Sequence, residues 1–314
     1  MRHERGTKYK SDIAVRWCQL VYCMRHLSSR KVVYSFSPKN KPAYLVADNE
    51  RVIVETKDAF SGMVRSERTL FENLDMGKIN PATGPIAVEG LRKGGVLCVS
   101  IERIKCGGRG VTLCSPDLGQ LGYQVRKSRT RLLEVRAGKA RFSGDVWVDL
   151  NPHVGVVGVA PAHNSFPTFW PGDHGGNMDT VDLGPGAKVY LPTFVDGGML
   201  AIGDVHAAMG DGEVCGTGVE VPAEVTVRLS IRDDMRLERP LIETRTEWIT
   251  YAAAKTLDEA AKTATRDLVS LVANMSGIDF EEAYMLASIA ANLKISQVVD
   301  PLMAARMSIA KKYL

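Results

Sequence analysis

Between Lys31 and Gly155 the chain never runs far without a breaker, and this punctuation constrains its fold more than any other feature. VVYSF (32–36), AYLV (43–46), RVIVET (51–56), GVLCVSIERI (95–104), RLLEV (131–135) and DVWVDL (145–150) mix β-branched residues with alternation, the pattern of short strands. Asn80-Pro81, Gly84-Pro85, Gly94-Gly95 and Gly107-Gly108 separate them. The β character continues to residue 231, now dense in glycine, through VGVVGVAPA (154–162), KVYLPTFV (188–195), GMLAIGDVHA (198–207) and VEVPAEVTVRLSI (219–231). In the last of these Val221, Ala223, Val225, Val227 and Leu229 share one face, and Pro222 calls for an edge position or a strand start. Such a series predicts a sandwich or jelly roll rather than alternating strand–helix units.

Helices are expected only late. Ala260, Ala264, Leu268, Leu271 and Met275 recur at helical spacing before Gly277, which reads as a stop. Asp279 and Glu282 have capping-box spacing and open a second helix, with Ala283, Leu286, Ala287, Ala290 and Leu293 as its buried stripe. Asp300-Pro301 breaks the chain. The fold class read from these patterns is β-rich α+β, strand-rich over 31–231 with helical elements over 256–299.

A chain of 314 residues, 45% hydrophobic and 24% charged, belongs to one large or two closely packed globular domains. The net charge of +4 comes largely from two basic stretches, Arg2 to Lys31 and Arg126 to Arg141. Neither interleaves aromatics nor matches a reader motif, so they are read as solvated faces, with no nucleic-acid partner. No apolar run is long enough for a membrane helix. The six cysteines show no metal-finger or C-x-x-C spacing, which fits a reducing compartment and a cytoplasmic location.

Residues 1–30 are read as an extension outside the main unit, 31–314. Arg16 and Gln19 interrupt the apolar stretch of residues 11–24, arguing against a signal peptide, while Ile13, Trp17, Leu20, Val21 and Met24 fall on one face of a helix. A natural start at Met24 is one of two readings of this segment.

Two clusters carry chemistry. In GDVHAAMGDGEVCGTGVE (203–220), Asp204 and His206 stand two apart on a strand and project from one face, offering an oxygen and a nitrogen to a divalent metal. Asp211 and Glu213 repeat the spacing after Gly210, and a tight turn would return them toward the first pair. Taken alone, D-x-H favours the plainer reading of a local hydrogen-bonded pair on a hairpin. In FWPGDHGGNMDTVDLGPG (169–186), His174, Asn177 and Asp179 surround Gly175 and Gly176 in a loop that also exposes backbone donors. That loop is equally read as a turn whose Asp and Asn satisfy their own backbone. Glu55 and Asp58 end a strand with further carboxylates, and residues 80–85 form a rigid turn beside a pocket. His153 and His163, beside an apolar strand, are read as packed or surface residues. No Gly-x-Ser-x-Gly elbow is present; Cys215, two residues after Glu213, is the one alternative nucleophile, and small buried thiols are usually inert.

INPATGPIAVEG (79–90), VGVVGVAPA (154–162), PGDHGGNMD (171–179), LPTFVDGG (191–198), GDVHAAMGDGEVCGTGVEVPAEVTVR (203–228) and EEAYMLASIAANLKISQVVDP (281–301) together resemble the acetamidase/formamidase family. The resemblance covers roughly residues 31–312 and is closer to the shorter acetamidase type. It implies a jelly-roll-like β-sandwich with added α+β elements, a divalent metal (zinc, with calcium as a second ion), a small amide substrate and a homodimer or higher homo-oligomer. Carried over by motif, His174, Asp179, Asp204, His206 and Asp58 are the implied metal ligands. Asp211 and Glu213 complete the second motif. Asp173 and Met209 depart from the family's proline and glutamine, and Met209 removes an amide near the site. The implied chemistry is a metal-activated water, with Glu213 as general base and the N–H groups of Gly175 and Gly176 as oxyanion donors. The rival reading, from another class, is a non-catalytic metal- or ligand-binding β-sandwich.

Overall fold

The computed structural model describes residues 24–314; the helical face expected for Ile13–Val21 lies outside the described residues. Two large antiparallel-rich sheets dominate. The first has nine strands in the order Arg25–Leu27, Glu50–Thr56, Ala223–Arg232, Val96–Cys106, Lys188–Pro192, Leu241–Glu243, Glu247–Ala254, Met303–Ala310 and Ala291–Gln297. The second has Leu200–His206 at its centre, with His153–Gly158 along one side. Its other side is shared by Ala82–Val88 and Glu220–Val221. One apolar core joins them, with Val52, Val99 and Val227 from the first sheet meeting Ile86, Val157 and Ile202 from the second. The β-rich α+β class expected from the punctuation is therefore what forms.

Alternation places Val221, Ala223, Val225, Val227 and Leu229 together in that core. Pro222 proves to be a strand start: the chain leaves the second sheet after Val221 and enters the first at Ala223, between Glu50–Thr56 and Val96–Cys106. The missing N–H of proline falls at the switch, where no ladder bond is needed. The expected turn over 80–85 differs. Ala82–Val88 is a fully buried strand paired with three others, so packing on Leu200–His206 overrides its proline and glycine content.

The helix Leu257–Ser276 is capped by Thr256, whose side chain accepts from the Glu259 amide, and ends at Gly277 with φ 66°. Its buried residues are Ala260, Ala264, Leu268, Val269 and Val272; Met275, expected inside, is exposed. The second helix, Phe280–Ala290, begins under the Asp279 cap as expected but stops nine residues earlier than the Asp300-Pro301 break allowed, because 291–297 pairs with Met303–Ala310 as a strand. Leu293 thus leaves the helical stripe and lies exposed on the sheet's last strand.

Arg306, on Met303–Ala310, is 1% exposed and ties three segments together. Its guanidinium pairs with Asp182 at 2.5 Å and Asp211 at 2.7 Å and donates to the Ile295 carbonyl. A second anchor is Glu243, which accepts from Tyr190 at 2.5 Å, Lys311 at 2.6 Å and Lys188 at 3.0 Å. Burial alone would raise its pKa, but those three donors outweigh it and hold the carboxyl at about 2.

Removing one partner of a buried ion pair leaves the others uncompensated. Arg306→Met is expected to lower unfolding stability by about 3 kcal/mol, the low end for such losses because Asp211 keeps access to water. Urea denaturation measures this, and a loss below the experimental error would contradict the anchoring role. A carboxylate with a depressed folded-state pKa stabilises above its ordinary value of 4.5 and loses that contribution as pH falls toward 2. Glu243→Gln should therefore be less stable than the parent at neutral pH, with the difference closing between pH 4.5 and 2 in thermal melts.

Candidate active site

The central strand Leu200–His206 delivers Asp204 and His206 to the same place. Around His206 Nε2 lie Glu220 Oε1 at 3.2 Å, Glu213 Oε1 at 3.6 Å and Asp204 Oδ1 at 3.7 Å. Asp179 joins from the loop after Gly175–Asn177, so that Asp179, Asp204 and His206 bring ligand atoms within 4.8 Å of one another. His206, Glu213 and Glu220 do the same. The imidazole fits only because glycine stands on both sides. A Cβ on Gly155 would lie 2.9 Å from Cε1 and 2.5 Å from Asp179 Oδ1, and one on Gly218 would lie 2.9 Å from Cδ2.

Hydrogen bonding sets the direction of the ring. His153 pairs with His206 across the two strands, and its Nδ1 is 2.7 Å from the Asn151 carbonyl, which can only accept. Burial and the neighbouring His206 press the His153 pKa down to about 3, so the ring is neutral and its Nε2 is an acceptor. His206 Nδ1, 3.3 Å away, therefore donates to it, leaving Nε2 to face the carboxylates. This is the carbonyl–imidazole–ligand order that fixes metal-binding histidines.

The acids are far from their ordinary state. Burial, reinforced by Asp204, raises Asp179 to about 7, and burial with Asp179 nearby raises Glu220 to about 8. Burial and mutual repulsion hold Asp204, Glu213 and Asp300 well above the usual carboxylate range. Asn80 donates to Asp204 at 3.0 Å, and Asn177 donates to Asp300 at 2.9 Å. Yet both oxygens of Asp179, Asp204 Oδ1 and Glu220 Oε2 are buried without a partner. Buried polar atoms are rarely left this way. One imidazole cannot balance five carboxylates, and among the described residues no lysine or arginine lines the adjoining cavity. The orphaned oxygens and the neutral nitrogen fit a divalent cation.

Backbone strain converges on the same residues. Asn80 (φ 45°), Asp179 (φ 38°), Asp204 (φ 49°) and Glu213 (φ 47°) all occupy the left-handed region. Each costs about 1 kcal/mol or more and persists only where the surroundings enforce it.

Several expected residues lie elsewhere. His174 is buried between aromatic rings, edge-on to Phe36 at 5.1 Å and stacked on Phe166 at 5.5 Å, and burial lowers its pKa to about 4. It is in neither ligand group, and its Nε2 is buried without a partner. Asp211 turns away to Arg306. Asp58 folds back on its own loop, where Oδ1 accepts from the Phe60 and Gly62 amides at 2.9 Å each. The Gly175 amide, expected as an oxyanion donor, is committed to the Gly172 carbonyl at 3.0 Å, and Gly176 lies in a strand paired with Val157. Cys215 Sγ is within hydrogen-bonding reach of the Leu113 carbonyl and Thr217. Met209 lines a neighbouring groove that shares Glu213 and Thr217 with the cavity that the acids line.

Glu220 and Asp300 complete the cluster without having been singled out. Glu220 had a usable signal, a charge beside Val219 and Val221 in an otherwise apolar strand start. Asp300 had none, since Asp-Pro reads equally as a chain breaker.

Asp204, Glu213, Glu220 and Asp300 line a cavity of about 240 Å³, while Asp179 and His206 are not among its lining residues. Phe60, Phe71, Met76, Ile79, Leu118 and Phe169 form an apolar side, and Asn80, Asn177 and Thr217 also line it. Phe60, Phe71 and Leu118 belong to one packed cluster, so the apolar side is continuous.

Residues 162–311 match the model of the acetamidase/formamidase family. The solved acetamidase from Bacillus halodurans superposes with a TM-score of 0.90 at 40% identity, covering 92% of this chain and 98% of that one. The acetamidase from Yersinia enterocolitica gives 0.87 at 32% identity, covering 92% of each. A putative formamidase of Schizosaccharomyces pombe is 23% identical over 268 residues, 62% of this chain, and the match spans 64% of its own length, just under two thirds. With a likeness to solved acetamidases that extends over nearly all of the described chain, this protein belongs to the acetamidase/formamidase family.

Proposed function

We propose that this chain is a cation-dependent amidohydrolase that cleaves small neutral primary amides to a carboxylate and ammonia. The observation that carries the reading is the set of orphaned carboxylate oxygens around His206, of which those of Asp204 and Glu220 belong to residues that line a cavity with an apolar side, in a member of this family. Asp179, Asp204 and His206 would hold the cation, and a mixed nitrogen and oxygen set suits zinc. The second ligand group shares His206, so the reading takes one cation rather than two. Bound there, a divalent ion supplies Lewis-acid polarisation of a carbonyl and acidifies water.

The chain's own residues do the rest. Glu213 lines the cavity beside His206 and takes the proton from the attacking water. As the C–N bond breaks, that proton passes to the departing ammonia, and the added oxygen stays on the carboxylate product. Asn80 and Asn177 hold Asp204 and Asp300 in place through their amides. The apolar wall takes the acyl group and excludes bulk water. At about 30 Å³ per water-sized group, the cavity has room for roughly eight heavy atoms, enough for acetamide and a longer apolar tail. Among the described residues its walls carry carboxylates and no lysine or arginine, which disfavours an anionic substrate. The four described cysteines are free thiols, which supports a cytoplasmic setting.

Ammonia release from formamide, acetamide and longer amides, measured after chelation and again with Zn²⁺ restored, tests the reading. Full activity in a metal-free preparation would overturn the cation dependence, and cation binding with no hydrolysis would favour a binding protein. Glu213→Gln is expected to keep its cation and lose at least about 100-fold in kcat. His153→Phe, which removes the acceptor that orients His206, should weaken cation affinity by about 10–100-fold in calorimetric titration, whereas unchanged affinity would show that His206 needs no such support.

A further inference from the structure

The polar side of the cavity carries a run of two carboxamides whose orientation is fixed from both ends. Asp300 Oδ2 accepts from Asn177 Nδ2 at 2.9 Å, so the Asn177 nitrogen faces that carboxylate and its Oδ1 faces away. That oxygen accepts from Asn80 Nδ2 at 3.3 Å, and the same nitrogen donates to Asp204 Oδ2 at 3.0 Å. A carboxamide has two N–H bonds, and both of those on Asn80 are thereby committed. Neither side chain can flip. Turning Asn80 would set its oxygen against the Asp204 carboxylate, and turning Asn177 would do the same at Asp300. Asn80 Oδ1 is left accepting from no donor among the described residues.

The backbone under this side chain is held as firmly. Asn80 has φ 45°, its N–H donates to the Ala59 carbonyl at 2.7 Å, and Pro81 follows it. Asn80 and Ala59 both line the cavity. Thr217, the other neutral polar side chain on this face besides Asn177, donates its hydroxyl to the Leu113 carbonyl at 3.1 Å. The carboxylates change character with protonation, whereas a carboxamide oxygen accepts at every pH. Asn80 therefore gives the cavity one permanent, immobile acceptor.

We propose, on the strength of the amidohydrolase reading above, that Asn80 Oδ1 accepts an N–H of the substrate carboxamide and so selects primary amides over esters of the same acid. An ester presents an oxygen where the amide presents N–H, and two acceptors then face each other unpaired. Sites built to hydrogen-bond a substrate N–H reject the analogue that lacks it for this reason. The same bond fixes rotation about the C–N bond. With one N–H turned to Asn80, the nitrogen lone pair points elsewhere and stays open to the proton that Glu213 delivers.

The test compares kcat/KM for acetamide and methyl acetate, which share an acyl group, in the Zn²⁺-loaded parent and two variants. The inhibition constant of methyl acetate against acetamide cleavage gives the same comparison where its own turnover is slow. Asn80→Gly suits the left-handed backbone and removes the whole carboxamide. Its amide-over-ester ratio is expected to fall at least about tenfold, the scale of one hydrogen bond. Asn80→Asp keeps an accepting oxygen at the same reach but gives up both donors and sets a like charge beside Asp204. It should slow both substrates and keep the parent's ratio. Equal losses on the two substrates in Asn80→Gly would reduce Asn80 to a support for Asp204 and overturn the proposal, as would an Asn80→Asp ratio that falls as far as the glycine variant's. A loaded parent that cleaves neither compound would overturn the amidohydrolase reading itself, and this assignment with it.

Discussion

A single buried guanidinium sets the geometry on which the rest of the molecule depends. Arg306 holds Asp182 three residues after Asp179, Asp211 two residues before Glu213, and the Ile295 carbonyl five residues before Asp300. Three loops, far apart in sequence, thus receive one common reference point. The arginine itself stands outside the cavity, so it places acids around the site without neutralising them. A planar fork with five donors can serve three acceptors at fixed angles, and a lysine could not.

The acids are then left in conflict, and the fold keeps that conflict localised. The sheets beneath are ordinary, with an alternating apolar core and helices capped by Thr256 and Asp279. The conflict is confined to the few residues around His206, where carboxylates are buried, raised in pKa and short of partners. The Asn151–His153–His206 chain of hydrogen bonds gives the ring a fixed polarity, presenting Nε2 to the acids. Disruption of local rules at one place, against consistency elsewhere, is the pattern expected of a functional site.

Much of this was legible in the sequence, though not evenly. Alternation identified the faces of the strand 223–232 because burial on one side enforces a period of two. The Asp204–His206 pair was legible for the same reason, since two residues on a strand must share a face. Glu213 followed from the glycine turn. Asp211, at identical spacing, did not, because the choice between cavity and Arg306 is made by a strand almost a hundred residues away. For His174 the motif marks the loop, and Phe36 and Phe166, distant in sequence, decide where the ring lies. The strand 291–297 was missed because its alanines and leucine suit a helix equally well, and only pairing with Met303–Ala310 settles the matter.

The left-handed backbone at Asn80, Asp179, Asp204 and Glu213 has a consequence for how this protein can change over time. Glycine would relax each of these positions, and no other single residue would relax them as well. Random drift under selection for folding alone would therefore erode the cluster toward glycine, gaining stability with each step. The persistence of three acids and an amide there marks a standing trade of robustness for chemistry. Libraries screened for heat resistance alone will select against that chemistry first at these four positions.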